Sequence, residues 1–257
     1  MSGAFRIAIP ARYGANRLPG KPLVRLRGRP MLEHVWRRAC AAGADDVVIA
    51  TDDERIDRAA RDFGARVCRT RADHACGTDR LAEVAERMDW ADDDRVVNLQ
   101  GDEPLTPPAV LTQVAEDLLR DPEAAVTTLS TPLGSSAAGE AHIVKVVADK
   151  WGRALYFSRA PIPHWRDGNP ALADPPWYRH IGLYGYRAGF LRTYAGLAPA
   201  PIEHAEQLEQ LRVLWHGYAI RVAEAVRVPE PGVDVPADVE RVEAALQRLE
   251  SEASDGR

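Results

Sequence analysis

Two hydrophobic periods alternate along this chain. Phe5, Ile7, Ala8 and Ile9 form a short apolar run ending at Pro10, the length of a buried strand. Leu32, Val35, Trp36, Ala39 and Cys40 then recur at i, i+3, i+4, i+7 and i+8, which predicts an amphipathic helix that stops near Gly43. The alternation continues with a strand at 47–50, a helix on Ile56, Ala59, Ala60 and Phe63 closed by Gly64, and a strand at 65–69. A helix on Leu81, Val84, Ala85 and Met88 follows, with Thr78 placed to cap it, then a strand at 95–100 and a helix on Val110, Leu111, Val114 and Leu118. Strict alternation predicts parallel strands joined by right-handed crossovers, with ligand loops at their carboxyl ends. The loops after Ile9, Ala50 and Gln100 should therefore meet in one crevice.

The second half reads differently. Strand patterns at 125–129, 143–148, 154–157 and 180–186 have few helices between them and predict a mixed or antiparallel extension. Residues 161–178, rich in Pro, Asp and Trp without a period, read as a lid or binding loop. A helix near 202–215, a strand near 219–224 and a helix from Asp238 complete the chain. The expected organisation is one α/β domain over 1–250 with an inserted lobe at about 125–190, and a disordered tail at 251–257.

Composition narrows the functional classes. The 257 residues are 46% apolar and 28% charged with a net charge of −5, ordinary for a globular protein and unlike a general nucleic-acid surface. No apolar run approaches the roughly 20 residues that span a bilayer. Three cysteines, Cys40, Cys68 and Cys76, form no C-x-x-C pair and read as reduced. His74 and Cys76 lack the second pair that a zinc finger needs. A soluble cytoplasmic protein is expected.

Against this acidic background, residues 1–32 hold seven Arg or Lys and no Asp or Glu. Arg12, Arg17 and Lys21 lie in a loop of small residues directly after the first strand, a composition suited to phosphates, because backbone N–H groups and charge-assisted bonds can both reach them. The spacing is neither a P-loop nor a dinucleotide fingerprint, and a solvated basic loop is the bland alternative. Asp102, in Gln100-Gly101-Asp102-Glu103-Pro104 at the end of a strand, is a candidate Mg²⁺ ligand, since Mg²⁺ takes one or two carboxylates alongside substrate phosphates. Asp234, in Gly232-Val233-Asp234, could complete the shell, with Asp238 as helix cap; turn residues are the rival reading for both. Gly77, Thr78 and Arg80 join a strand to a helix where a base edge could be read. His180, Tyr184, Glu209 and Gln210 are polar residues on apolar elements, and Arg159 follows a strand; they could orient a hydroxylated acidic substrate or satisfy one another. No activated nucleophile is evident, so direct displacement at phosphorus is the implied chemistry.

Together, Ile9-Pro10-Ala11-Arg12-Tyr13, Arg17-Leu18-Pro19-Gly20-Lys21-Pro22-Leu23, Ala50-Thr51-Asp52, Gly77-Thr78-Asp79-Arg80, Asn98-Leu99-Gln100-Gly101-Asp102-Glu103-Pro104, Tyr156-Phe157-Ser158-Arg159, His180-Ile181-Gly182-Leu183-Tyr184-Gly185-Tyr186-Arg187, Leu208-Glu209-Gln210-Leu211-Arg212 and Gly232-Val233-Asp234 closely resemble the 3-deoxy-manno-octulosonate cytidylyltransferase (CMP-Kdo synthetase) family over almost the whole chain. The resemblance implies a nucleotide-diphospho-sugar transferase-like fold, a mostly parallel sheet flanked by helices with a smaller mixed or antiparallel extension. It also implies that CTP and Kdo give CMP-Kdo and diphosphate in the cytoplasmic supply of lipopolysaccharide, with Mg²⁺ and as a homodimer. On this resemblance Arg12, Arg17 and Lys21 hold the triphosphate, with Lys21, Arg12 and Asp102 as the catalytic set, and Gly77, Thr78 and Arg80 contact cytosine or ribose. Asp102 and Asp234 hold the metal. Gln100, Arg159, His180, Tyr184, Glu209 and Gln210 line the sugar-acid site, Arg159 facing its carboxylate. Val235 stands where the family has Thr, Cys76 where it often has Ser, and 161–178 does not align cleanly. Activation of a sialic acid or 8-amino-Kdo, or an idle sugar-nucleotide-binding protein, are the alternatives.

Overall fold

The structure is a computed structural model that describes residues 4–14, 18–74, 76–166 and 177–255. Its first half is β1 (Arg6–Pro10), a 3₁₀ turn (Lys21–Leu23), the ribbon β2 (Arg25–Leu26) and β3 (Arg29–Pro30), α1 (Met31–Cys40), β4 (Asp46–Thr51), α2 (Glu54–Asp62), β5 (Arg66–Arg69), α3 (Gly77–Arg87), β6 (Arg95–Asn98) and α4 (Pro108–Arg120). The second half is β7 (Ala124–Pro132), α5 (Ser135–Ala138), β8 (Lys145–Ala148), β9 (Ala154–Ser158), β10 (Tyr178–Arg187), α6 (Ala188–Ala195), α7 (Pro201–Glu206), α8 (Gln210–Trp215), β11 (Ala219–Glu224) and α9 (Asp238–Asp255).

The main sheet runs β11-β7-β10-β6-β1-β4-β5, with β8 paired to β10 and β9 to β8. β1 lies parallel to both β4 and β6, and β5 parallel to β4, as the alternating pattern predicts. β10 then enters antiparallel between β6 and β7, and the β8–β9 hairpin extends from it antiparallel. This is the mixed extension expected of the second half.

Period-two alternation on β1 explains the layering. Ile7 and Ile9 pack with Leu32, Val35 and Ala39 of α1 on one face, while Ala8, between them, packs on the other with Leu81, Val84 and Ala85 of α3. Each such fully buried Leu or Val contributes roughly 1.5–3 kcal/mol. A separate cluster joins Leu26, Met31, Leu105 and Val233 to Val242, Ala245 and Leu246 of α9. That cluster anchors the chain just before Asp234.

Several boundaries moved. The helix expected near 202–215 is two helices, because Gln207 adopts a left-handed φ of 54° and breaks the run before Glu209. The strand at 95–100 ends at Asn98, which frees Leu99 and Gln100 for the turn that follows. The cap of α3 is the Cys76 sulfur, which accepts from the Asp79 N–H at 3.4 Å, instead of Thr78. α9 runs to Asp255, into the segment set apart above as a tail. Of the loop 161–178, residues 167–176 lie outside the described residues. No described helix is long and apolar enough to cross a membrane.

Glu83 of α3 ties the approach to that helix in place. Its carboxylate accepts from the Arg71 N–H at 3.0 Å and from Arg87 Nε at 2.7 Å, and contacts His74 Nε2. Burial opposes its ionisation, but these donors outweigh burial and hold its pKa at about 2. A depressed carboxyl pKa contributes stability that is present above the unfolded value and lost as pH falls toward the folded one. Glu83→Gln should therefore lower the melting temperature by several degrees at pH 7, and thermal melts across pH should show the gap to wild type narrowing below about pH 4.5. A gap that stays constant down to pH 3 would contradict this role.

Candidate active site

β1 delivers its chain into the basic loop, and Ala11 N–H bonds back to the Ala50 carbonyl at 2.9 Å. The loop closes where Gly20 N–H meets the Tyr13 carbonyl at 3.0 Å; Gly20 sits at φ 71°, which favours glycine. Lys21 follows at once. Its Nζ lies 2.5 Å from Asp102 Oδ2 and 3.1 Å from Asp234 Oδ1, so one ammonium joins three distant segments. Arg12 lines the same crevice with Lys21, Gly77, Gln100, Gly101 and Asp102. It is exposed and no described carboxylate engages it. Arg17 lies outside the described residues.

Asp102 and Asp234 are brought together by backbone approach. Val233 N–H bonds to the Asp102 carbonyl at 3.1 Å, and a Cβ on Gly232 would sit 2.2 Å from that same oxygen. Only glycine permits this crossing. Asp238 closes the turn from the other side, accepting from the Asp234 and Val235 N–H groups at 2.8 and 3.0 Å. Burial lowers the Lys21 pKa, but bonding and attraction to Asp102 and then Asp234 outweigh it, leaving the ammonium above its usual value. Glu103, beside them, is pushed up to about 8 by burial and by the charges of Asp102 and Asp234. Sequence reasoning passed over Glu103, although it stands in the quoted Gln-Gly-Asp-Glu-Pro run.

Gln100 and Gly77 continue the crevice into a deeper recess with Thr78, Asn98, Tyr184, Glu209 and Gln210. Thr78 Oγ1 donates to Glu209 Oε2 at 3.4 Å. Burial pushes the Glu209 carboxyl up and the Tyr184 phenol well up. Gln210 Nε2 is buried without an acceptor. An orphaned amide donor in a recess wall suits a ligand oxygen. A neighbouring recess shares Gln100 and is lined by Glu103, Arg179, His180 and residues 181–183. His180 shares a 2.9 Å hydrogen bond with Thr128 Oγ1 and packs edge-on to Phe157 with ring centres 4.9 Å apart. Burial pushes its pKa down to about 3, so the imidazole is neutral. A bulge between Ile181 and Tyr184 re-aims this stretch of β10.

Two expected residues are elsewhere. Arg80 is fully buried, 2.8 Å from Asp52 and 2.5 Å from Thr70 Oγ1, and so lies inside the protein instead of facing a base. Arg159 directly follows β9, its guanidinium donating to the carbonyls of Glu206 at 2.8 Å and Ala141 at 3.1 Å. Its own carbonyl is gripped at 2.5 Å by the fully buried Lys145 ammonium, which also holds the carbonyls of Glu140 and Ile143. In this arrangement Arg159 does not line the crevice. Arg179 lines the neighbouring recess instead, and nothing in its strand pattern marked it out.

The family described as Cytidylyltransferase matches residues 7–222. A 3-deoxy-manno-octulosonate cytidylyltransferase of Halorhodospira halophila is 56% identical over 95% of this chain and 97% of its own, and one of Pseudomonas syringae pv. syringae is 52% identical over 96% and 100%. A solved structure described as CMP:2-keto-3-deoxy-manno-octonic acid synthetase complexed with CTP superposes with a TM-score of 0.89 at 43% identity, covering 96% of this chain and 100% of that one. A cytidylyltransferase from Leptospira borgpetersenii shares the fold at a TM-score of 0.61 and 16% identity. The basic loop, the paired carboxylates and the deep polar recess thus fall within a shared framework: the chain belongs to the cytidylyltransferase family, and within it to the 3-deoxy-manno-octulosonate cytidylyltransferases.

Proposed function

We propose that this crevice transfers the cytidylyl group of CTP to the anomeric hydroxyl of 3-deoxy-manno-octulosonate, forming CMP-Kdo and diphosphate for lipopolysaccharide synthesis. The observation that carries the reading is the Lys21 ammonium between Asp102 and Asp234, at the mouth of a crevice that continues through Gln100 to a recess with an orphaned Gln210 amide. Positive charge at the mouth suits a polyphosphate, and hydroxyl-reading groups inside suit a sugar.

The sugar hydroxyl oxygen attacks the α-phosphorus in line, its proton passing to solvent, and the bond to diphosphate breaks with its electron pair leaving on the diphosphate. Arg12, Arg17 and Lys21 bind the triphosphate and stabilise the charge that gathers on the departing group. Gly77 and Thr78 present the start of α3 to the nucleoside. Gln100, Tyr184, Glu209 and Gln210 orient the sugar, and neutral His180 offers one ring nitrogen from the adjoining recess. Holding both reactants in one crevice converts a bimolecular encounter into a local one.

Two carboxylates that converge on one cation are a donor set suited to Mg²⁺, which commonly takes one or two protein carboxylates and completes its shell with phosphate and water. Among the described residues no group of three or more His, Cys, Asp or Glu side chains is placed to hold a metal ion. Asp102 and Asp234 would hold Mg²⁺, and when bound it supplies neutralisation of the triphosphate charge. A cytoplasmic homodimer belongs to the same reading, and light scattering measures its mass.

With CTP, Mg²⁺ and Kdo, the purified protein should release diphosphate, and EDTA should stop it; a preference for 8-amino-Kdo or a sialic acid would rename the substrate, and CTP binding without release would indicate an idle binder. Asp102→Asn should lower kcat by at least about 100-fold with an unchanged circular dichroism spectrum, because an amide is a poor Mg²⁺ ligand. Gly232→Ala should push Asp234 away from Asp102, destabilise the protein by about 1–3 kcal/mol and cut turnover by about 100-fold. Melting curves and steady-state kinetics check both effects, and normal turnover in that variant would show that the close crossing is dispensable.

A further inference from the structure

We propose that Arg241 is a positioning residue for the metal site: from the first turn of α9 it clamps the backbone ahead of Asp234, and so sets how strongly a divalent ion adds to CTP binding. This rests on the assignment of Asp102 and Asp234 to the ion proposed above. Asp234 needs such support. It stands between β11 and α9, in a stretch with no strand or helix of its own. Its side chain is 65% exposed, so the 3.1 Å contact with Lys21 is screened by water and does little to hold it in place.

Two side chains of α9 supply what a sheet ladder would. Arg241 reaches back over the loop, Nη1 donating to the Pro231 carbonyl at 2.8 Å and Nη2 to the Gly232 carbonyl at 2.7 Å. Asp238, three residues earlier, accepts from the Asp234 and Val235 N–H groups at 2.8 and 3.0 Å. The two clamping groups also meet each other, Arg241 Nη2 lying 3.3 Å from Asp238 Oδ1. The carbonyls before the crossing and the amides after it are thus engaged by one coupled pair, while the Val233 N–H between them goes to the Asp102 carbonyl. Bonds to charged groups are the strong ones, and the flat guanidinium fork serves two carbonyls at once, which a point-charge ammonium does less well.

The base of this clamp is rigid. Val233 is buried in the cluster with Val242, Ala245 and Leu246, which follow Arg241 on α9. The helix that grips the loop backbone therefore also packs against the side chain next to Asp234. Groups that fix a metal ligand without touching the metal typically carry about 10- to 100-fold of metal affinity. Arg248, further along α9, uses the same charge differently: its bond goes to the Glu230 side chain at 3.3 Å, outside the backbone of 231–235.

The test needs no turnover. Calorimetry without sugar gives the dissociation constant of CTP in Mn²⁺ and in EDTA, and the ratio of the two is the contribution of the ion. In wild type, Mn²⁺ should tighten CTP by about 10- to 100-fold. Arg241→Met should cut that ratio by about 10-fold, with the EDTA constant within about twofold of wild type as a mark of an intact fold, and Arg241→Lys should restore part of the ratio. Arg248→Met, which removes the same charge from the same helix, should keep the wild-type ratio. An unchanged ratio in Arg241→Met, or an equal loss in Arg248→Met, overturns the assignment of Arg241 while leaving the carboxylate pair standing. A wild type that binds CTP no more tightly in Mn²⁺ than in EDTA overturns the metal assignment on which the proposal rests.

Discussion

Lys21, only 9% exposed, sits against Asp102 and Asp234, and Glu103 stands beside them. Three carboxyl groups this close would repel one another if all were ionised and none were countered. The single ammonium counters two of them, and the third is driven toward its protonated form. The three segments that meet here come from the loop after β1, the turn after β6 and the stretch before α9, so the contact also fixes the C-terminal helix to the sheet. Each partner is available to exchange: a triphosphate can take Lys21, and a metal ion can take the two carboxylates. The resting ion pairs therefore hold the site in shape while reserving its charges.

The sheet topology decides where this happens. β1, β4 and β6 are parallel and release their loops on one edge, which brings Arg12, Lys21 and Asp102 to a common mouth. β10 then enters antiparallel, setting Tyr184 opposite Asn98 at the end of β6 and carrying His180 beyond it, with a bulge that spreads His180 and Tyr184 over two adjoining recesses. The break at Gln207 turns Glu209 and Gln210 in from the other wall. In the proposed function the first wall meets the phosphates and the second the sugar hydroxyls.

Local patterns carried the parts of this that depend on neighbours in sequence. The i, i+3, i+4 spacing of Leu32 and Val35 and the short run around Ile7 were legible because burial follows period, and the alternation of the two gave the parallel half of the sheet. The charge contrast of residues 1–32 marked Arg12 and Lys21, and Gly-Val-Asp marked Asp234. What stayed hidden depends on partners far away. Arg80 looked like a surface reader until Asp52 and Thr70 enclosed it, Arg159 until the Glu206 and Ala141 carbonyls claimed it, and Lys145 carried no sign that a whole ammonium would be buried on three carbonyls. The left-handed φ at Gln207, a non-glycine residue, breaks a helix whose spacing reads as continuous.

The most direct test of the central claim is the anomalous diffraction of Mn²⁺, substituted for Mg²⁺, in crystals of the wild-type protein grown with CTP. The account predicts one strong peak within coordination distance of both Asp102 and Asp234 and of a nucleotide phosphate, with Lys21 moved from the carboxylates onto the phosphates. CTP bound with Lys21 still bridging Asp102 and Asp234, and the manganese elsewhere or absent, would contradict it.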